Sequence, residues 1–174
     1  MEIKKDQIIN PIVEKIQKIL ILPILSSFLF LTLFSCTENV MYESLKPIHN
    51  NWHKDSVYTF EVHLKKRKQP QNIFLVLRNN EHYKYSNIYF FITLEKPTGI
   101  QETDTLQYRM ANSDGNWTGK GMGNVKENLL LYRENENFTD TGMYKIHIQH
   151  GMRANQLKGL EDLGLIIQKA ESHE

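Results

Sequence analysis

What most limits the folds open to this chain is a two-residue hydrophobic period that recurs with turn signals between its occurrences. Tyr58, Phe60, Val62 and Leu64 alternate with Thr59, Glu61, His63 and Lys65. Leu106, Tyr108 and Met110 share one side of a second alternating stretch, and Tyr144, Ile146, Ile148 and His150 share one side of a third. Such alternation marks a strand with one face on a core and the other in water. Residues 72–78 (NIFLVLR) read as a strand buried on both faces, 163–169 (LGLIIQK) as a buried closing strand, and 88–94 (IYFFITL) as a strand rich in aromatic and β-branched residues. With 129–133 the total is about seven strands. Turn residues separate them at 66–71, 96–99 and 112–116 (NSDGN).

No long helical period is present, so the expected fold is an all-β antiparallel sandwich, immunoglobulin-like or Greek key, with a jelly roll as the alternative. Asp140-Thr141-Gly142-Met143-Tyr144 adds a local expectation. A tyrosine just inside a late strand of an immunoglobulin-like sandwich bonds back to the preceding turn, and Tyr144 stands where it can do so.

The N-terminal part is of another kind. Lys4, Lys5, Lys15 and Lys18 precede an apolar run over 19–34, which is followed by small Ser35 and by Cys36, the single cysteine. Basic residues, an apolar run and a small residue, in that order, form a secretory signal. Leu33-Phe34-Ser35-Cys36 has the form of a bacterial lipobox, in which the cysteine is lipidated and becomes the new N-terminus. The competing reading, a spanning helix, needs about 20 apolar residues. The run has 16 and contains Pro23. The expected organisation is a lipoprotein signal peptide over 1–35, a lipid-anchored tether over 36–51 and a sandwich domain over 52–174. Thr37 after the cysteine favours the outer membrane over retention at the inner one.

Cleavage before Cys36 leaves 139 residues with 17 Lys+Arg and 17 Asp+Glu. That length buries a core without staples, and a lone cysteine forms no intrachain disulfide. A neutral chain lacks the electrostatic footprint of a nucleic-acid binder. Its one local excess, Lys65-Lys66-Arg67-Lys68, reads as a solvated turn. Catalytic and cofactor signatures are missing as well. His147 and His150, three apart on a strand, point to opposite faces. His49 and His53 have a helical spacing in a region with no helical pattern, and no zinc-ligand motif occurs. There is no Gly-x-Ser-x-Gly elbow. Gly119-Lys120-Gly121-Met122-Gly123 lacks the ending of a phosphate loop and reads as backbone passing close to a ring, that of Trp117.

Several phrases in one order carry a resemblance. They are Arg78-Asn79-Asn80 followed by Tyr83, Tyr85, Ser86 and Asn87; Asp104-Thr105-Leu106; Gly115-x-Trp117-x-Gly119-x-Gly121; Gly142-x-Tyr144; and Met152-Arg153-x-x-x-Leu157-x-Gly159-Leu160-x-Asp162-Leu163-Gly164-Leu165. From Cys36 to about Lys169 the chain resembles the gliding-motility lipoprotein family GldH of the Bacteroidota. It departs from that pattern at His150-Gly151, where Gln-Ala is expected, and at Ile166, where a basic residue is expected. The resemblance implies a membrane-anchored, non-enzymatic accessory protein of the gliding and type IX secretion machinery, with no cofactor. Its expected partners are membrane lipid through Cys36 and other envelope proteins. Tyr83, Tyr85 and Trp117 are the candidate contacts, with the Arg153 loop next; the alternative is that these three rings cover the ends of the sandwich core. The alternative reading is a glycan-binding outer-membrane lipoprotein, in which the same aromatic rings stack on sugars.

Overall fold

The computed structural model describes residues 39–170; the signal peptide and Cys36 lie outside them. Ten strands follow one another: β1 Val40–Pro47, β2 Asn51–His53, β3 Tyr58–Leu64, β4 Gln71–Asn79, β5 Asn87–Glu95, β6 Gln101–Arg109, β7 Lys126–Glu136, β8 Gly142–His150, β9 Gln156–Lys158 and β10 Leu160–Lys169. All seven expected strands are present. The other three are β1 and the three-residue pair β2 and β9.

Two four-stranded antiparallel sheets face each other, in the orders β1-β10-β4-β7 and β3-β8-β5-β6, and β2 pairs with β9 beside them. The chain changes sheet at nearly every connection; only β5 and β6 form a hairpin between neighbours. This is the strand order of a jelly roll, two interleaved Greek keys. The sandwich is therefore as expected, and its connectivity is that of the alternative rather than of an immunoglobulin-like fold.

Inward residues of both sheets meet in one core. Ile73, Leu75, Leu77, Leu163, Leu165 and Ile167 come from the first sheet, and Phe60, Val62, Ile88, Phe90, Ile92, Tyr144, Ile146 and Ile148 from the second. The period-two stretches supply most of the second sheet because one of its faces is wet.

β1 corrects the expected tether over 36–51 and the domain start at 52. The strand pairs with β10 from Val40↔Gln168 to Pro47↔Asp162. It lacks a clear hydrophobic period because polar residues occupy inward positions. The Lys46 ammonium, for example, lies 5.2 Å from the Phe60 ring centre and donates to the Thr59 carbonyl at 2.6 Å. An inward charge and a terminal proline are common devices of an edge strand.

Antiparallel strands sort the connections between two ends. Residues 48–57, 80–86, 110–125 and 151–159 gather at one end, tied by Asn80 N–H to Gly159 O at 2.9 Å, Met110 N–H to Ser86 O at 2.7 Å and Lys54 N–H to Asn155 O at 2.8 Å. Residues 65–70, 96–100 and 137–141 lie at the other, where Arg67 N–H reaches Phe138 O at 3.3 Å. The chain enters β1 at this second end, with Lys169 N–H bonded to Asn39 O at 3.0 Å.

Candidate functional site

All four candidate contact residues inside the described range fall at the first end, on three different loops. Tyr83 and Tyr85 belong to the β4–β5 loop, Trp117 to the β6–β7 loop and Arg153 to the loop after β8. The structure gives them different roles.

Tyr83 is structural. It is only 2% exposed, and its hydroxyl donates to Asn87 O at 2.8 Å. Burial pushes its pKa well above the usual phenol range, with Tyr85 adding to the shift. The Tyr83 ring lies edge-on to Tyr85 at 5.6 Å and tilted against Trp117 at 6.3 Å. Trp117 is half-buried and packs on the core margin. Tyr85, at 38% exposed, presents its ring to solvent.

The flanking motif residues lock these loops together. Asn80 donates from its side chain to Glu161 and accepts from His82 N–H at 2.8 Å. Buried Asn128 donates to Leu77 O at 3.1 Å and Asn79 Oδ1 at 2.9 Å. Gly159, at φ +81°, lies so close to the β4–β5 loop that a Cβ there would stand 2.0 Å from Tyr83 N. The alternate glycines do not serve Trp117, contrary to the sequence expectation. A Cβ on Gly119 would meet the Asn128 side chain at 2.8 Å, and one on Gly121 the Val125 carbonyl at 2.8 Å. Arg78, bonded to Glu127 at 2.7 Å, and Asp104, bonded to Arg133 at 2.7 Å, are tied up in ion pairs.

Tyr85 and Arg153 open onto a depression of about 460 Å³, lined by Tyr85, Tyr89, Gly151, Met152, Arg153 and Ala154. Tyr85 and Arg153, 68 positions apart in sequence, thus meet in one place. Gly151 makes the floor: its N–H donates to Tyr89 O at 2.6 Å, and a Cβ there would press on Phe91 and Tyr89 at 3.2 Å. Tyr89 and Phe91 continue the aromatic row along the outer side of β5. Sequence reading missed both because 88–94 contains apolar residues on both faces, which hides which ones point outward. The Tyr89 hydroxyl donates to Gln107 at 2.8 Å.

A second exposed surface was also hidden. On the outer face of the first sheet the register sets Leu45, Gly164, Val76 and Leu129 in one row and Ile166, Phe74 and Leu131 in the next. Leu129 is 58% exposed. The two-sided burial expected for 72–78 is met on the core side, while the other side carries this partly open apolar face.

The histidines divide as their spacing predicts. His147 faces out, with Nδ1 2.8 Å from Thr59 Oγ1, and His150 is buried in the core. Among the described residues no group of three His, Cys, Asp or Glu side chains is placed to hold a metal ion.

Comparison with known proteins gives a consistent result. The family model described as GldH lipoprotein matches residues 40–167. A gliding motility lipoprotein GldH homolog of Christiangramia forsetii is 36% identical over 152 residues, covering 83% of this chain and 93% of that protein. The gliding motility lipoprotein GldH of Flavobacterium johnsoniae is 35% identical over 146 residues, covering 80% and 91%. Among solved structures, the non-crystalline cellulose-specific carbohydrate-binding module CBM28 aligns over 76% of this chain and 79% of its own, at 6% identity and a TM-score of 0.44. On the family match and both relatives, the chain belongs to the GldH lipoprotein family.

Proposed function

We propose that this protein is a lipid-anchored, non-enzymatic component of the gliding machinery, held at the outer membrane by Cys36, and that it works by docking another envelope protein on its loop-rich end. The observation that carries this reading is the convergence of Tyr85, Tyr89, Met152 and Arg153 on one open depression while the residues around them are tied into the fold. Aromatic residues, Met and Arg are the types enriched where protein interfaces gain their binding energy. The relatives' names support the motility setting.

The test is Tyr85→Ala combined with Arg153→Ala, followed by crosslinking in intact cells and a motility assay. Both side chains reach the surface, so expression and melting temperature stay near the parent value while crosslinked partners and spreading are lost. Full motility and unchanged crosslinks in a folded double variant end the proposal for this surface.

A second reading, glycan binding, is favoured by the exposed row of Tyr85, Tyr89 and Phe91 with Gln107 beside it. Sugar rings stack on such rings, and amides bond their hydroxyls. Retention on a glycan array that Tyr89→Ala abolishes, with no protein crosslinks lost, selects it.

A further inference from the structure

The end of the sandwich opposite the candidate site carries the one run of four adjacent cations in a processed chain whose 17 Lys+Arg and 17 Asp+Glu balance overall. Lys65, Lys66, Arg67 and Lys68 form the β3–β4 loop, and all four are exposed. None takes part in a salt bridge among the described residues. The backbone beneath them is fixed, however. Lys66 N–H donates to Thr141 Oγ1 at 2.9 Å and Arg67 N–H to Phe138 O at 3.3 Å. The nearest acid on that supporting loop, Asp140, is half-buried and accepts from Thr139. The backbone that carries the cations is therefore fixed, and among the described residues none of the four is paired with an acid.

Their position relative to the chain entry is the second observation. Asn39 O accepts from Lys169 N–H at 3.0 Å, and Ala170 N–H donates to Pro70 O at 3.0 Å. Asn39, the end of β10 and the end of the basic loop thus lie side by side on neighbouring strands, each step about 4.8 Å. Two residues, Thr37 and Glu38, lie between Cys36 and Asn39, so the three steps of chain reach at most about 11 Å. With Cys36 lipidated, that end of the sandwich is held within reach of the headgroups.

We propose that the loop Lys65-Lys66-Arg67-Lys68 is a second membrane contact, seated on anionic phospholipid headgroups, which turns the Tyr85–Arg153 depression away from the bilayer. The proposal rests on the lipidation of Cys36. A short tether alone lets the domain lie down on its side; charge complementarity at the anchored end holds it upright. Basic residues close to a lipid anchor strengthen attachment to anionic membranes in this way.

The experiment uses the full lipidated chain purified from membranes and carrying Gln69→Cys. With Cys36 lipidated, residue 69 holds the single free thiol, which takes an environment-sensitive fluorophore. The protein is reconstituted into phosphatidylcholine vesicles with and without phosphatidylglycerol. The emission is expected to shift to the blue on the anionic vesicles only. High salt reverses the shift, as screening of exposed charges requires, and it is absent from the variant that also carries Lys65→Ser, Lys66→Ser, Arg67→Ser and Lys68→Ser. The same emission on both lipids, or a shift that survives in the neutralised loop, overturns the proposal. Failure of the anchor is seen separately: two free thiols per chain and no flotation with phosphatidylcholine vesicles mean that Cys36 carries no lipid, and the proposal falls with it.

Discussion

His150 shows how one residue can be placed by its period and still bring a cost. It lies on the inward side of β8, 2% exposed, with its ring edge-on to Trp52 at 5.6 Å. Neither ring nitrogen finds a hydrogen-bond partner among the described residues, and burial lowers its pKa below the ordinary imidazole value of 6.5. The unfolded chain takes up a proton near that value that the folded chain refuses. Stability is therefore complete above about pH 6.5 and lost as pH falls through it toward the folded value. Urea midpoints should drop between about pH 7 and about pH 5. His150→Gln, which cannot titrate, should flatten the slope even if it lowers the midpoint overall; an unchanged slope assigns it to other groups. Tyr144 was legible for a simpler reason. Its hydroxyl donates to Asp140 O at 3.1 Å and accepts from Asp140 N–H at 3.2 Å. The contact spans only four residues, so the local spacing specifies it in a jelly roll as well as in an immunoglobulin-like sandwich. Tyr144→Phe should cost about 1 kcal/mol in a denaturation measurement. The sequence leaves Tyr83 open between a contact and a core residue, because its burial is made by Gly159 and Trp117, far away in the chain.

At the scale of elements, legibility follows face chemistry. β3 and β8 show an apolar side and a polar side, and the alternation alone finds them. β1 has Lys46 turned inward, and β2 and β9, at three residues each, are too short to show a period. Leu157 and Trp52, fully buried in that short pair, gave no pattern at all. The phrase from Met152 to Leu165 carries much of the family resemblance, yet most of it serves the fold. Leu157, Leu160, Leu163 and Leu165 are core residues, Gly164 lets Leu45 fold over β10, and Gly159 admits the β4–β5 loop. Gly159→Ala would force the Cβ against Tyr83 backbone in a left-handed conformation. We expect a loss of about 3 kcal/mol in urea denaturation. Gly99→Ala, also at positive φ but with open space around it, should lose only about 1 kcal/mol. Equal losses at the two positions mean that the loop contact adds nothing beyond backbone strain.

For the whole molecule, the strands could be counted in advance but their order could not, because alternation reports which side of a strand is buried and not which strand lies next to it. The jelly-roll order is what separates the two ends. It brings four loops from distant parts of the chain to one end and puts the entry of β1 at the other. The proposed docking surface and the proposed membrane attachment then lie at opposite ends of the sandwich, and removal of the anchor should affect only one of them. Acyl chains hold a protein to a bilayer by about 0.8 kcal/mol per buried methylene, and one chain alone holds only weakly. Cys36→Ser removes the thiol that would be lipidated and leaves every core residue untouched. The variant should leave the membrane fraction and lose gliding in cells, yet keep the melting temperature of the processed parent and still capture, in solution, the partner that the parent crosslinks. Retention in the membrane through an alkaline wash means that residues 19–34 stay in the bilayer as an uncleaved anchor. Release from the membrane with loss of solution capture means that the docking surface needs the lipid as well as the loops.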